Sequence, residues 1–500
     1  MKSLAVGRAE AVAERAGGTA SWGVASLSLA VLLSSLGTSI ANVGLPALAR
    51  AFGASFQGVQ WVVLAYLLAI TTLIVSVGRL GDILGRRRLL LGGIALFTTA
   101  SAACGAAPTL WMLIAARAAQ GLGAAVMMAL AMAFVGETVP KERTGSAMGL
   151  LGTTSAIGTA LGPSLGGVLI AGLGWRAIFL VMVPLGITAL LLAHRHLPAD
   201  RAGKPAAGFD GLGTLLLALT LATYALAMTM GRGRFGMLNV ALLLGAALGI
   251  GLFVRAERKA ASPLIRLAML RDRVLRAGLA TSALVSTVIM VTLVVGPFYL
   301  SRALGLDAAR VGLVLSVGPL VAALTGAPAG RLVDRLGTRS PTLAGLAGMA
   351  AGCLTLSLLP ASLGVAGYIA PIVIVTAGYA LFQTANNTAV MAEVPAEQRG
   401  VVSGMLNLSR NLGLITGASV MGAVFALASR ASDITAAPPT AVAIGMRITF
   451  AVAAGLIAIA LVIAGRLKPL QQPHKVLLRG LRGFGRAAAR PARRVKSRSA

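Results

Sequence analysis

The sequence predicts an all-α integral membrane protein: two six-helix bundles with two extra helices inserted between them, fourteen transmembrane helices in all. Three observations carry that prediction. Hydrophobic residues make up 57% of the 500 and charged residues only 12%, with a mean hydropathy of +0.87, whereas globular domains are about a quarter charged. The apolar residues gather in fourteen runs, most of them near the roughly 20 residues a bilayer-crossing helix needs. The segment GRLGDILGRRR (78–88) is spelt again as GRLVDRLGTRS (330–340), 252 residues on, the mark of an internally duplicated fold. A β-barrel also spans a bilayer, but its short segments alternate in hydrophobicity and these runs do not.

Taken in order, residues 1–21 contain Arg8, Glu10, Glu14 and Arg15 and no short apolar core. They read as a cytoplasmic N-terminus and not as a cleaved signal. The first bundle, 22–195, holds spans at 22–45, 59–78, 89–107, 109–135, 144–172 and 176–193. The linker, 196–276, holds two extra spans at 211–230 and 235–254. The second bundle, 277–466, holds spans at 277–300, 309–329, 341–360, 364–390, 400–428 and 441–465, and 467–500 is a basic cytoplasmic tail.

The repeat fixes this count. Gly78, Asp82, Gly85 and Arg87 fall on Gly330, Asp334, Gly337 and Arg339 at an offset of 252. Pro140, Glu142, Gly145, Gly149, Gly158 and Gly162 fall on Pro395, Glu397, Gly400, Gly404, Gly413 and Gly417 at an offset of 255. One span with its connection takes roughly 22–33 residues. Dividing 252 by six gives 42, too long, while eight gives about 31. The repeat unit is therefore six helices, with two inserted between the copies.

A net charge of +30 raises the question of nucleic acid, and its distribution answers it. With fourteen spans and a cytoplasmic N-terminus, 34 Lys/Arg fall inside, eight fall outside and two, Arg117 and Arg410, lie within spans. That asymmetry is the positive-inside rule, so no nucleic-acid partner is implied. The expected location is the inner (plasma) membrane, both termini cytoplasmic, as a monomer. From Arg466 onward the tail has eleven Lys/Arg and no acid; it reads equally as an amphipathic strip on an anionic leaflet or as an unstructured basic segment. Cys104 and Cys353 sit inside spans, which suits packing. His194, His196 and His474 lie outside the spans, no nucleophile–base or metal arrangement is found, and no phosphate-binding G-x-x-x-x-G-K-[ST] occurs. The chain is therefore expected not to be an enzyme, and no cofactor or metal is expected.

Four further segments carry chemistry. The 78–88 hinge has glycines for a tight turn and arginines that hold it in the cytoplasm. Its Asp82 is placed to accept from a helix N-terminus or an arginine. In LIAARAAQGLGA (113–124), Arg117 stands eight residues into a span, where a charge costs several kcal/mol; a central-cavity position bonded to Ser39 or Asn42 is expected. In GTALGPSLGG (158–167), Gly158, Gly162 and Gly166 share one helix face, suited to close packing on the opposite half, and Pro163 favours a bend. The fourth segment is LGTSIANVGLP (36–46).

In these four segments, in this order, the chain resembles the major facilitator superfamily, and within it the fourteen-helix drug:proton antiporter branch. The match runs from about residue 30 to 465. The resemblance implies the major facilitator fold and secondary-active export of small amphipathic compounds or drugs, with protons as coupling ion. It implies that Asp82 and Arg86 belong to a gating loop mirrored by Asp334, that Arg117 and Gln120 take part in coupling, and that Gly158, Gly162, Pro163, Gly166 and Gly167 form the antiporter helix signature.

One feature departs from that branch. Where an aspartate normally follows the leucine of the first-helix signature, this chain has Gly37, and none of its fourteen acids lies deep in a span. Glu137 and Glu393 come closest, at cytoplasmic helix ends, so Glu137 or Asp82 is left to sense a proton, or Arg117 does so with water. A specific metabolite exporter or facilitator with weak or no proton coupling is the alternative. Polar and aromatic residues within spans are the cavity candidates: Ser39, Asn42, Trp61, Tyr66, Gln383, Asn386, Asn387, Asn407 and Arg410.

Overall fold

A lipid interior offers no hydrogen bonds, so a chain this apolar closes its backbone bonds within helices. The computed structural model describes residues 2–74, 76–138, 144–198, 200, 210–230, 236–260, 267–392, 394, 399–430, 434 and 437–466. The first half comprises α1 (Lys2–Phe52), α2 (Phe56–Ile74), α3 (Val77–Leu84), α4 (Arg86–Ala106), α5 (Leu110–Thr138), α6 (Thr144–Leu173), α7 (Ala177–Leu180) and α8 (Met182–His196). The inserted pair is α9 (Gly211–Thr229) and α10 (Met237–Lys259). The second half comprises α11 (Arg273–Phe298), α12 (Ala308–Leu336), α13 (Arg339–Leu358), α14 (Gly364–Met391), α15 (Arg399–Thr416), α16 (Gly422–Ala428) and α17 (Pro439–Gly465). Among the described residues, thirteen of the helical spans are long and apolar enough to cross a membrane. The fourteenth is α6, whose described apolar stretch is Ile157–Leu173. Each predicted span has its helix.

Three local differences stand out. The first hinge is not a simple turn: it is the short helix α3, a break at Gly85 and the start of α4. Glu257, expected in a linker, is helical and buried in the last turns of α10, because that helix runs on to Lys259. Arg447, one of the eight arginines counted with the outside loops although inside the predicted 441–465 span, lies within α17.

The duplication is visible in how arginines fasten each half. Where α4 begins, Arg87 donates to the carbonyl of His194 at the end of α8. Its repeat partner Arg339 donates at 3.3 Å to the carbonyl of Gly465 at the end of α17. At the opposite ends, Arg176 reaches the Ala107 carbonyl after α4 (3.4 Å), and Arg447 reaches the Ser357 carbonyl in α13 (2.9 Å). Each arginine satisfies a carbonyl that a helix C-terminus leaves open.

The inserted helices are unequal. α10 packs mainly on α9. α9 lies against both halves: Trp61 Nε1 donates to Thr229 Oγ1 (3.0 Å) and Ser76 pairs with Thr214 (3.0 Å) on the α2 side, while Tyr224 meets Thr416 (3.1 Å) on α15.

Candidate functional site

Between the halves lies a cavity of about 330 Å³, lined by α1, α2, α5 and α6 from one side and α11, α12, α14 and α15 from the other. Its polar groups include Ser35, Thr38, Asn42, Ser155, Tyr379 and the run Asn407, Arg410, Asn411 along one face of α15; Leu67, Ile70, Met128, Ile289 and Leu293 supply apolar walls. Arg410 is half-buried, and no Asp or Glu is among the lining residues.

Beyond the cavity, at the end of the bundle opposite the 78–88 hinge, the halves touch. Phe56 packs edge-on against Phe298 and Phe425, with ring centroids 4.8 and 5.6 Å apart. Gln60 Nε2 donates to the Ala418 carbonyl at 2.8 Å. Ala418 sits in a π-helical turn, Gly417–Met421, between α15 and α16; such turns distort a helix locally and often mark functional positions. On the other flank, a Cβ on Gly167 would lie 2.5 Å from the Ala308 carbonyl and 2.9 Å from Gly312 Cα, so only glycine permits this approach of α6 to α12. Of these closing residues only Gly167 belongs to a segment singled out in the sequence, the 158–167 signature; Phe56, Gln60, Phe298, Ala308, Gly312, Ala418 and Phe425 were not among the candidates.

Arg117 is fully buried in the first half and does not line the cavity. Nε donates to the Val62 carbonyl (2.9 Å), and NH1 donates to the Gly37 carbonyl (3.1 Å) and to Gln120 Oε1 (2.6 Å). The guanidinium lies 4.1 Å from the centre of the Tyr66 ring. Gln120 in turn donates to Ser101 Oγ at 2.7 Å, and Tyr66 donates its hydroxyl to the Ser34 carbonyl at 2.8 Å. The partners are therefore not Ser39 or Asn42. Gly37 is part of this arrangement: a Cβ there would lie 2.9 Å from the Tyr66 hydroxyl and 3.3 Å from the Phe97 ring.

The glycine face of α6 packs within its own half. Cβ atoms on Gly158, Gly162 and Gly166 would meet the Leu32 carbonyl (2.7 Å), Ser39 Cβ (2.7 Å) and Val43 (2.8 Å) of α1. Gly413 of α15 and Gly417 at the start of the π-helical turn lie in the same way against Ala283 and Thr287 of α11. Contact with the opposite half is left to Gly167 and to the carbonyl of Pro163, which meets Gly312.

Of the other candidates, Asn42, Asn407 and Arg410 line the cavity. Ser39 is buried against α6 with its hydroxyl on the Ser35, Leu36 and Gly158 carbonyls. Trp61 faces α9, Tyr66 stacks on Arg117, and Asn386 donates to the Gly278 carbonyl at 3.2 Å, tying α14 to α11. Gln383 and Asn387 are half-buried on α14 outside the cavity lining. Asp334 is exposed near the end of α12 and Arg86 opens α4. The side chains of Asp82 and Glu137 lie outside the described residues, as do Glu393 and the tail.

The hinge is held by a residue the sequence did not single out. Asp200 Oδ1 accepts from the Arg87 amide (2.7 Å) and Oδ2 from the Arg88 amide (3.2 Å), so a carboxylate from the loop after α8 does what an N-cap side chain does. Gly85 at the cap position has φ +92°, and a Cβ there would lie 2.5 Å from Asp200 Oδ2. Its repeat partner Gly337 also has positive φ, +73°.

A helical membrane bundle whose halves enclose a cavity with polar groups set in apolar walls, closed at one end by contacts between them, defines a membrane transporter. Residues 27–418 match the Major Facilitator Superfamily, and the chain belongs to that family. It is 34% identical over 409 residues to the multidrug resistance protein Stp of Mycobacterium tuberculosis (80% of this chain, 74% of that protein). It is 30% identical over 401 residues to the riboflavin transporter RibZ of Clostridioides difficile (80% and 87%). A bacterial homolog of the human lysosomal transporter Spinster, solved in an inward-facing, unoccupied conformation, has the same fold at a TM-score of 0.64 and 16% identity (89% and 96%).

Proposed function

We propose that this protein exports small amphipathic compounds across the plasma membrane by alternating access, driven by proton antiport, with its termini in the cytoplasm. The bundles 22–195 and 277–466 are the moving units, and the protein works as a monomer. The observation that carries this reading is the cavity bounded by both bundles and closed at the end away from the basic hinge. That is the arrangement of an exporter waiting for cargo from the side the positive charges mark as inside. Similarity to a multidrug resistance protein supports the drug-efflux character. The expected result is substrate accumulation in proteoliposomes with an imposed pH gradient, assayed over a panel of dyes and antibiotics; accumulation indifferent to the gradient removes proton antiport.

A second reading, a metabolite exporter with weak or no coupling, is favoured by one specific observation. Among the described residues no carboxylate lines the cavity, and a coupled carrier needs a group whose protonation differs between its states. Transport of a single compound that runs equally with and without the gradient would select this reading.

A further inference from the structure

We propose that the central cavity binds acidic amphipathic molecules, an apolar body bearing a carboxylate, sulfonate or phenolate, with Arg410 as the anion-binding group. The proposal deepens the export reading by naming its cargo, and rests on it only where transport is concerned.

Among the described residues, twenty line the cavity and Arg410 is the sole charged one. Its guanidinium has no hydrogen-bond or ion-pair partner among the described residues. A cation held half out of water with no acid beside it is stabilised by whatever anion enters, and a planar guanidinium grips a carboxylate or sulfonate through two parallel bonds. Uncommitted polar groups surround it. Among the described residues Asn411 and Tyr379 make no side-chain hydrogen bond, and Ser286, 2% exposed, lines the cavity with an unpartnered hydroxyl. The opposite wall is Leu67, Ile70 and Met128, a surface for an apolar body.

The repeat shows that this charge is an addition to one wall. Position 410 corresponds to Ser155 at the offset of 255, and Ser155 is satisfied locally by Ser35 at 2.7 Å. Anion recognition is therefore one-sided. Another intramembrane cation, Arg117, is bonded to carbonyls and an amide and to no described acid. Both cations act against a positively charged ligand in this low-dielectric region.

The test uses one scaffold with three charges: 7-methoxycoumarin-3-carboxylate, its primary amide and a trimethylammonium analogue. Binding to the full chain in lipid nanodiscs is followed by coumarin fluorescence. The wild type is expected to bind the carboxylate about tenfold or more tighter than the ammonium compound. Arg410→Gln is expected to bring the three affinities together, and Arg410→Lys to retain part of the preference. Tighter binding of the ammonium compound by wild type, an unchanged preference in Arg410→Gln, or binding of none of the three overturns the proposal. Should Arg410→Gln not fold, the wild-type and Arg410→Lys series decides by the same criteria. Uptake of the same compounds into proteoliposomes separates the two readings: carboxylate bound through Arg410 but never carried overturns export and leaves the binding site standing.

Discussion

A guanidinium buried among helices is costly unless acceptors and aromatic faces surround it. Arg117 Nε and NH1 find the Val62 and Gly37 carbonyls and Gln120, the group lies on the face of Tyr66, and NH2 has no hydrogen-bond partner among the described residues. Its cost was legible in the sequence, because a charge in a span stands out. Its partners were not, because two are backbone carbonyls of other helices and any residue supplies those. Arg117→Gln removes buried hydrogen bonds from a charged donor, worth about 1.5–3 kcal/mol each, so a clear fall in the thermal-unfolding midpoint of purified protein is expected, together with loss of transport. Arg117→Lys, charged but without the planar fork, is expected to fall between. A wild-type midpoint in Arg117→Gln would reject this role. Gly37 gives the complementary experiment. The flexible end of Tyr66 is the closest obstacle to a side chain there, and a carboxylate would stand beside a cation now met by a carbonyl. Gly37→Asp is therefore expected to make transport more dependent on an imposed pH gradient, measured as the ratio of uptake with and without it; an unchanged ratio counts against a coupling role for this position.

The elements were the most legible level, because the length of an apolar run is a local property and the bilayer fixes what length suffices. What escaped were features made by distant segments. Asp200 lies 113 residues from the Arg87 amide it accepts from, and the polar contacts of α9 with both bundles could not be read from a helix without a motif. The hinge shows how the two kinds of information combine. Gly85 is required by its positive φ, which was implicit in the glycine pattern, and by the carboxylate that fills its side-chain space, which was not. Asp200→Ala removes a cap from α4, worth about 1 kcal/mol, and frees the hinge from the segment joining the bundles. A midpoint lower by a few degrees and increased hydrogen exchange at the start of α4 are expected; exchange that stays at the wild-type rate would show that the cap carries no weight.

At the scale of the molecule, closure is built twice from the same positions. Gln60 and Gly312 are related by the 252-residue offset, and Pro163 and Ala418 by the 255-residue offset. In one copy Gln60 donates to the Ala418 carbonyl; in the other Gly312 lies against the Pro163 carbonyl. The repeat therefore conserves the place of contact and changes its chemistry: a hydrogen bond on one flank, bare backbone on the other. Neither contact was visible in the sequence, since the first joins residues 358 apart. The two flanks should respond in the same direction but to different extents. Gln60→Ala removes one buried hydrogen bond, about 1 kcal/mol, which shifts a two-state population roughly fivefold. Gly312→Ala puts a Cβ into the Pro163 carbonyl and opposes closure sterically, so its shift should be larger. Spin labels at the exposed positions Ala51 and Leu363, on the two sides of this end, report the separation by pulsed electron resonance. Both variants are expected to add a longer-distance population, with Gly312→Ala the greater. Variants that keep the wild-type distance distribution would mean that the phenylalanine contacts of Phe56 hold this end closed unaided.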